Sequence, residues 1–267
     1  MTAVAPALYE SFRTLTPEPG DVLDRFGRDG IYDHGRMMAP GGLLLLDRMV
    51  RMSGLRPNSL VLDVGCGRGQ SSCYLASELG CQVTALDLWV PPNERVPCDA
   101  GAVGSPILHL TGDFGRGLPE GSGPFDALIA LQSFHSFGAN RAAIRYAASL
   151  LRRGGKLVLG QTCFSTEPDL GSGPFSDCSG LHSDYATYRT LGWWTSHLES
   201  EHRFRVDRAE ECSDGPILWE DHFLYIGNRA GWSTEFLSTF SWLGKQIQAG
   251  QKGGAQLTHL ILSAERL

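Results

Sequence analysis

The chain predicts an α/β fold built on a Rossmann-like parallel sheet, and three observations carry that expectation. Strand-length apolar runs alternate with helical segments from Val61 to Leu159, the pattern of right-handed βαβ units. One junction, Leu60-Val61-Leu62-Asp63-Val64-Gly65-Cys66-Gly67-Arg68-Gly69-Gln70, reads as a strand, a tight glycine turn and a helix start. The run Ala127 to Leu131 is wholly apolar, as a central parallel strand covered on both faces must be.

Composition narrows the function classes. With 267 residues and 42% hydrophobic content, the chain can bury one sizeable core with a decorated edge. A net charge of -6 disfavours phosphate-led binding of nucleic acid. No apolar run approaches the ~20 residues of a membrane helix, and Met1 to Glu10 lacks a signal peptide's basic start and apolar centre. A cytoplasmic location is therefore expected, with neither nucleic acid nor membrane as partner. The seven cysteines form no Cys-x-x-Cys pair, and their odd count argues against a disulfide framework.

Residues 1–42 mix Tyr9, Phe12, Phe26, Tyr32 and His34 with charge and glycine, and Pro17-Glu18-Pro19-Gly20 breaks a helical start over Ala7 to Leu15. Leu43 to Met52 reads as a helix by its leucine and methionine content. In the glycine turn, Gly65, Gly67 and Gly69 permit positive φ and let a ligand lie against bare backbone. The following helix start offers free N–H groups, so an anionic or carboxylate-bearing nucleoside fits. Gln70 stands where the dinucleotide fingerprint has its third glycine, and no Lys-Ser or Lys-Thr pair makes a P-loop.

Gly80 then caps the helix, and Cys81 to Leu86 forms a second strand ending at Asp87, about twenty residues past the turn, where an acid binds ribose hydroxyls. Leu88 and Trp89 follow, Trp89 either an apolar face for adenine or a loop anchor. Pro91 to Pro106 is a loop, and Ile107 to Leu110 a third strand running into Thr111-Gly112-Asp113-Phe114. Asn140 is a competent N-cap for a helix to Leu151, with apolar positions at Ala143, Ile144, Ala147 and Ala148. The cations and glycines of Arg152 to Lys156 would close that helix before a fifth strand at Leu157 to Gly160.

The excursion from Gln161 to Gly180 is long enough for a lid. A helix over Tyr185 to Leu198, a sixth strand over Arg203 to Ala209, a long helical stretch from Leu218 to Gln248 and a final strand over Leu257 to Ala264 complete the chain.

Val61 to Gly69 resembles motif I of the class I S-adenosylmethionine-dependent methyltransferases, apolar-apolar-Asp-x-Gly-x-Gly-x-Gly, here in the Gly-Cys-Gly form. Leu118-Pro119 with Gly123-Pro124-Phe125-Asp126 is similar to that family's approach to the fourth strand, and Leu150 to Leu159 to its post-motif segment. The resemblance, to small-molecule members of the type 11 kind, implies a seven-stranded sheet with the last strand antiparallel between the fifth and sixth. It implies S-adenosyl-L-methionine as cofactor, held by Asp63, Gly65, Cys66, Gly67, Gly69, Asp87, Leu88 and Trp89. Asp113 would bond the adenine amino group, Phe114 would stack or line the pocket, and Gln132 would touch the cofactor's amino acid end.

Gln132 to Phe137 follows a central strand and so points at the reacting centre. His135 is its one titratable group suited to proton removal near neutral pH, and the family also uses this position structurally. Tyr9, Tyr32, His34, Trp193 and Trp219 are the candidate substrate residues. The organisation expected is a cap or lid over 1–42 and a methyltransferase domain over 43–267 with an insertion around 161–198. Ala130-Leu131-Gln132-Ser133 stands where enzymes that methylate base or glutamine nitrogens have Asn-Pro-Pro-Tyr or Asp-Pro-Pro-Tyr, which sets those acceptors back, and no catechol-type metal cluster is visible, so no metal is expected. What remains is methyl transfer to an O, N or C nucleophile of a small molecule, with secondary metabolism as the expected setting and a homodimer as the expected assembly. The alternatives are a nicotinamide-dependent oxidoreductase and a non-methylating member of the fold that uses its cofactor structurally.

Overall fold

The computed structural model describes residues 39–95, 98, 107–167, 187–219, 222 and 257–267. Their elements are α1 (Gly42–Ser53), β1 (Leu60–Val64), α2 (Gln70–Ser77), β2 (Gln82–Asp87), β3 (Ile107–Thr111), β4 (Phe125–Leu131), α3 (His135–Gly138), α4 (Arg141–Leu150), β5 (Leu151–Phe164), α5 (Leu191–Glu199), β6 (Phe204–Glu211) and β7 (Leu257–Arg266). They build a seven-stranded sheet in the order β3-β2-β1-β4-β5-β7-β6. The neighbours from β3 through to β5 are parallel, and β7 runs antiparallel between β5 and β6. The tail strand thus lies where the sequence placed it.

Successive side chains on a strand point to opposite faces, and the central strands are apolar on both. Val61, Ala127, Ile129 and Val158 join a cluster under α1 and α2. Leu62, Leu128, Ala130 and Leu159 join a second cluster with α4 and α5. Leu43 to Leu46 of α1 are all buried, each contributing about 2 kcal/mol of transfer free energy. The C-terminus of α2 is closed by Gly80 at φ 66, with Gly80 N–H on the Ala76 carbonyl and Cys81 N–H on that of Leu75. Asn140 caps α4 by accepting the Ala142 N–H at 2.9 Å.

Three expectations change. Arg152 to Lys156 do not close α4: its last residue is Leu150, and Leu151 is already extended and paired with Phe125. Gly155 is required by a register shift there, since a Cβ would stand 2.8 Å from the Arg152 carbonyl oxygen. The fifth strand runs on through Gln161 to Phe164, because β7 pairs beside it from Lys156↔Glu265 to Phe164↔Leu257. Residues 187–190 are not helical and the next helix starts at Leu191, with Thr190 extended and accepting the Trp193 N–H, while Tyr185 lies outside the described residues.

Residues 1–38, with Tyr9, Tyr32 and His34, lie outside the described residues, as does most of the stretch expected as a long helix after Trp219. No helix among the described residues is long and apolar enough to cross a membrane.

A bidentate ion pair ties α1 to the segment after β6: Arg48 Nη1 and Nη2 donate to Asp214 Oδ1 and Oδ2 at 2.7 and 2.5 Å, and Asp214 is buried. Removing the guanidinium leaves a buried carboxylate alone. Arg48→Met is expected to lower stability by about 3–5 kcal/mol in urea unfolding, and adding Asp214→Asn to recover part of it.

Candidate active site at the carboxyl edge of the sheet

The carboxyl ends of β1, β2 and β4 meet at the glycine turn. Gly65, Gly67 and Gly69 have φ of 74, 53 and 84, the left-handed region. The glycines at 65 and 67 answer different needs. A Cβ on Gly65 would come 2.3 Å from Ser133 Cβ, so it admits the β4 loop, whose Ser133 donates to the Val64 carbonyl at 2.5 Å. A Cβ on Gly67 would meet no described residue within 4 Å, so among the described residues its backbone is uncovered.

Two strand-end carboxylates hold the turn. Asp63, fully buried, accepts from Ser71 Oγ and Ser72 Oγ at 2.6 Å each through Oδ2, while its Oδ1 has no hydrogen-bond partner. Burial pushes its pKa up to about 6 against the two hydroxyls, with Asp87 adding repulsion and Arg95 opposing. Asp87 Oδ2 accepts the Gly67 N–H at 2.7 Å, and its Oδ1 accepts the Trp89 and Val90 N–H groups at 2.9 Å. Asp87 thus clips the turn to the loop after β2. Leu88 is half exposed and Trp89 is 82% exposed beside it. Cys66 is buried, and burial beside Asp63 pushes its thiol upward, leaving it protonated.

The chain after β4 bends sharply. Gln132 has φ 54, a conformation that costs a side-chain-bearing residue about 1–3 kcal/mol and concentrates at functional sites. Its Oε1 accepts from Thr162 N–H and Thr162 Oγ1, both at 2.9 Å, and its Nε2 is buried without a partner. His135 opens α3, its ring edge-on to Tyr188 at 4.9 Å. Burial lowers its pKa to about 4, and Nδ1 lacks a partner. The imidazole is neutral at pH 7.

Asp113 stands at the end of β3, accepting the Gly115 N–H at 2.8 Å, with Arg116 3.7 Å away. Phe114 is a core residue, packed between Phe137 and Tyr146 at ring distances of 5.1 Å, because the turn after Asp113 rotates it inward. Trp193 lies on the outer side of α5, stacked on His197 at 4.3 Å with Arg189 over its ring, while Trp194 is in the core. Trp219 is buried against His259.

Sequence reasoning passed over Arg95. Its buried guanidinium donates to the carbonyls of Ala85, Val90 and Leu110, joining the ends of β2 and β3 to the loop behind Gly69. A lone arginine in a proline-rich loop carries no local signal of that role. Thr162 and Tyr188 were equally silent. Among the described residues, no group of three or more His, Cys, Asp or Glu is arranged to hold a metal.

Comparison with known proteins agrees with this architecture. Residues 62–159 match the family model described as a methyltransferase domain. The 27-O-demethylrifamycin SV methyltransferase of Amycolatopsis mediterranei is 27% identical over 179 residues, 64% of this chain and 62% of that protein. The sarcosine/dimethylglycine N-methyltransferase of Halorhodospira halochloris is 31% identical over 134 residues, 48% of this chain and 47% of that one. The phosphoethanolamine N-methyltransferase 2 of Haemonchus contortus, solved with S-adenosyl-L-methionine, superposes with a TM-score of 0.68 at 16% identity, over 93% of this chain and 60% of that one. The chain thus spans less than two thirds of the length of these relatives. The seven-stranded fold matches the expected one.

Gly65→Ala is expected to cost about 2 kcal/mol or more through the Ser133 clash, and Gly67→Ala only the left-handed strain of about 1 kcal/mol, read from denaturation midpoints. Asp63 supplies a pH signature. Its pKa rises from 3.8 to about 6 on folding, so its contribution is complete below pH 3.8 and lost as pH rises through 6. That loss totals about 3 kcal/mol, and Asp63→Asn should flatten the stability profile across this window.

Proposed function

We propose that this chain, whose residues 62–159 match a methyltransferase domain, is a class I S-adenosylmethionine-dependent methyltransferase acting on an O, N or C nucleophile of a small molecule. The observation that carries the reading is the turn itself: three left-handed glycines over a strand end, clipped by the carboxylate that ends the next strand. The relatives named above are methyltransferases, which lends nothing to the oxidoreductase alternative.

The residues present fit the cofactor. Gly67 leaves its backbone open to a ligand, and the buried Gln132 Nε2 is a donor suited to a carboxylate. Asp87 spends its carboxylate on three N–H groups and retains lone pairs for ribose hydroxyls. Trp89, exposed at the adjoining loop, offers a flat apolar face to adenine, and Asp113 an acceptor for its amino group. Bound S-adenosylmethionine would supply a sulfonium methyl whose leaving group is a neutral thioether. The protein's task is then to align the acceptor and exclude water.

His135 fits a late proton acceptor. With a pKa of about 4 it is a weak base, so ionising a phenol of pKa about 10 in advance would cost about 8 kcal/mol. It accepts a hydrogen bond from the acceptor and takes the proton as the new bond makes that proton acidic. A cytoplasmic setting accords with Cys66, Cys81, Cys98, Cys163 and Cys212, which are thiols and form no disulfide.

Calorimetric titration with S-adenosylhomocysteine tests the reading, and binding of reduced nicotinamide dinucleotide in its place would refute it. Asp87→Ala is expected to weaken homocysteine-nucleoside binding by about 1–3 kcal/mol. His135→Ala should slow label transfer from methyl-labelled cofactor and leave that binding intact. Wild-type transfer should be flat from pH 6 to 8, because His135 is already neutral above its lowered pKa; an inflection near 6.5 would contradict its burial.

A further inference from the structure

The carboxyl edge carries a second polar set, two strands beyond β4. Gln132 is hydrogen-bonded to Thr162 of β5, and Thr162 pairs directly opposite His259 of β7. Directly opposed residues on antiparallel strands share a face, with Cβ atoms about 5 Å apart. That face is the one on which Met49 covers Gly160, two residues before Thr162. Gln132, Thr162 and His259 therefore form a row running from the expected cofactor end across the rim of the sheet.

His259 is fully buried, and Trp219 lies nearly parallel to its ring at 5.8 Å. Neither ring nitrogen of His259 has a hydrogen-bond partner of normal geometry, nor does Trp219 Nε1. An unmet buried polar group costs about 1–3 kcal/mol, and a phenylalanine of the same shape would remove that cost. The Gly215 backbone is the one polar group of the described residues that acts on the ring as a hydrogen-bond partner, and it can serve only one of the two nitrogens. The charges acting on the ring are Asp214 and Arg48, which close on each other in a bidentate pair. Asp214 and the Gly215 backbone pull its pKa upward, but burial outweighs them and holds the ring neutral, with a pKa of about 3.

We propose that His259 is a hydrogen-bond partner of the methyl acceptor, and that the row Gln132–Thr162–His259 beside Trp219 selects an uncharged, hydroxyl-bearing molecule with an apolar body. This rests on the methyltransferase reading and narrows its acceptor. Among the described residues, the charges placed against this wall are Arg48 and Asp214, which are closed on each other, so a buried ammonium or phosphate group would find no free counter-charge among them. A hydroxyl instead donates to the unprotonated nitrogen of His259, while Leu218 and Trp219 supply apolar surface. Such a site rejects analogues that leave its buried polar groups unpaired.

The test uses the full chain with ¹⁵N-labelled histidine, saturated with S-adenosylhomocysteine, and phenol as the probe with ethylamine as the charged control. The His259 ring signals, identified by their absence in His259→Phe, should shift with phenol and stay still with ethylammonium. His259→Phe should melt at or above the wild-type temperature, bind the homocysteine nucleoside normally and bind phenol about fivefold more weakly or worse. His259→Gln, which keeps an acceptor, should retain more phenol binding than the Phe variant. Signals unmoved by phenol, equal movement with ethylammonium, a trapped water that phenol does not displace, or wild-type phenol affinity in His259→Phe would each overturn the proposal. The phenol titration is repeated without the homocysteine nucleoside. Failure of nucleoside binding then counts against the methyltransferase reading alone.

Discussion

The glycine turn keeps its shape because two carboxylates at neighbouring strand ends grip it from different sides. Asp63 holds the start of α2 through Ser71 and Ser72, and Asp87 holds the Gly67 amide together with the loop carrying Trp89. Two acids this close repel, and burial penalises the charge on Asp63 further. Arg95 offsets part of that without forming an ion pair among the described residues, since its guanidinium is spent on three backbone carbonyls. The turn, the loop and the ends of β2 and β3 are consequently one mechanical unit. Any ligand seated on the glycines meets a surface that is already organised.

Burial also sets the chemistry of the groups around that surface. His259, fully buried, and His135, half-buried, are held neutral because desolvation penalises the charged ring, and the Cys66 thiol is held protonated for the same reason. Neutral imidazoles and a protonated thiol beside the carboxylates suit the proposed reaction, whose electrophile brings its own activation. Alignment and exclusion of water are then what the fold must supply. The strained φ of Gln132 fits that demand, because it turns the amide toward Thr162 while leaving Nε2 without a partner.

Local chemistry made some parts of the chain readable and misled at others. Asn140 announced its helix because a capping side chain acts within two residues. Cations and glycines at Arg152 to Lys156 imitate a helix C-terminus, yet the same residues build the irregular start of β5, where pairing with β4 prevails. Gln161 to Phe164 read as loop because polar residues interrupt the apolar run; four residue pairs with β7 make them strand. Phe114 beside a functional acid suggested a pocket wall, and Phe137 and Tyr146 take it into the core.

By itself the sequence determined the strand-turn-helix at Leu60 to Ser77, the acid at Asp87, and the alternation that makes a doubly covered parallel sheet. Those features depend on backbone conformation and on side-chain periodicity, which act over a few residues and are written locally. Only the tertiary structure decided that Ser133 presses on Gly65, that Arg95 ties the loop behind the turn, and that Gln132, Thr162 and His259 stand in one row. Those neighbours are tens of residues or more apart in the chain. Strand order and register bring them together, and no local pattern encodes either one.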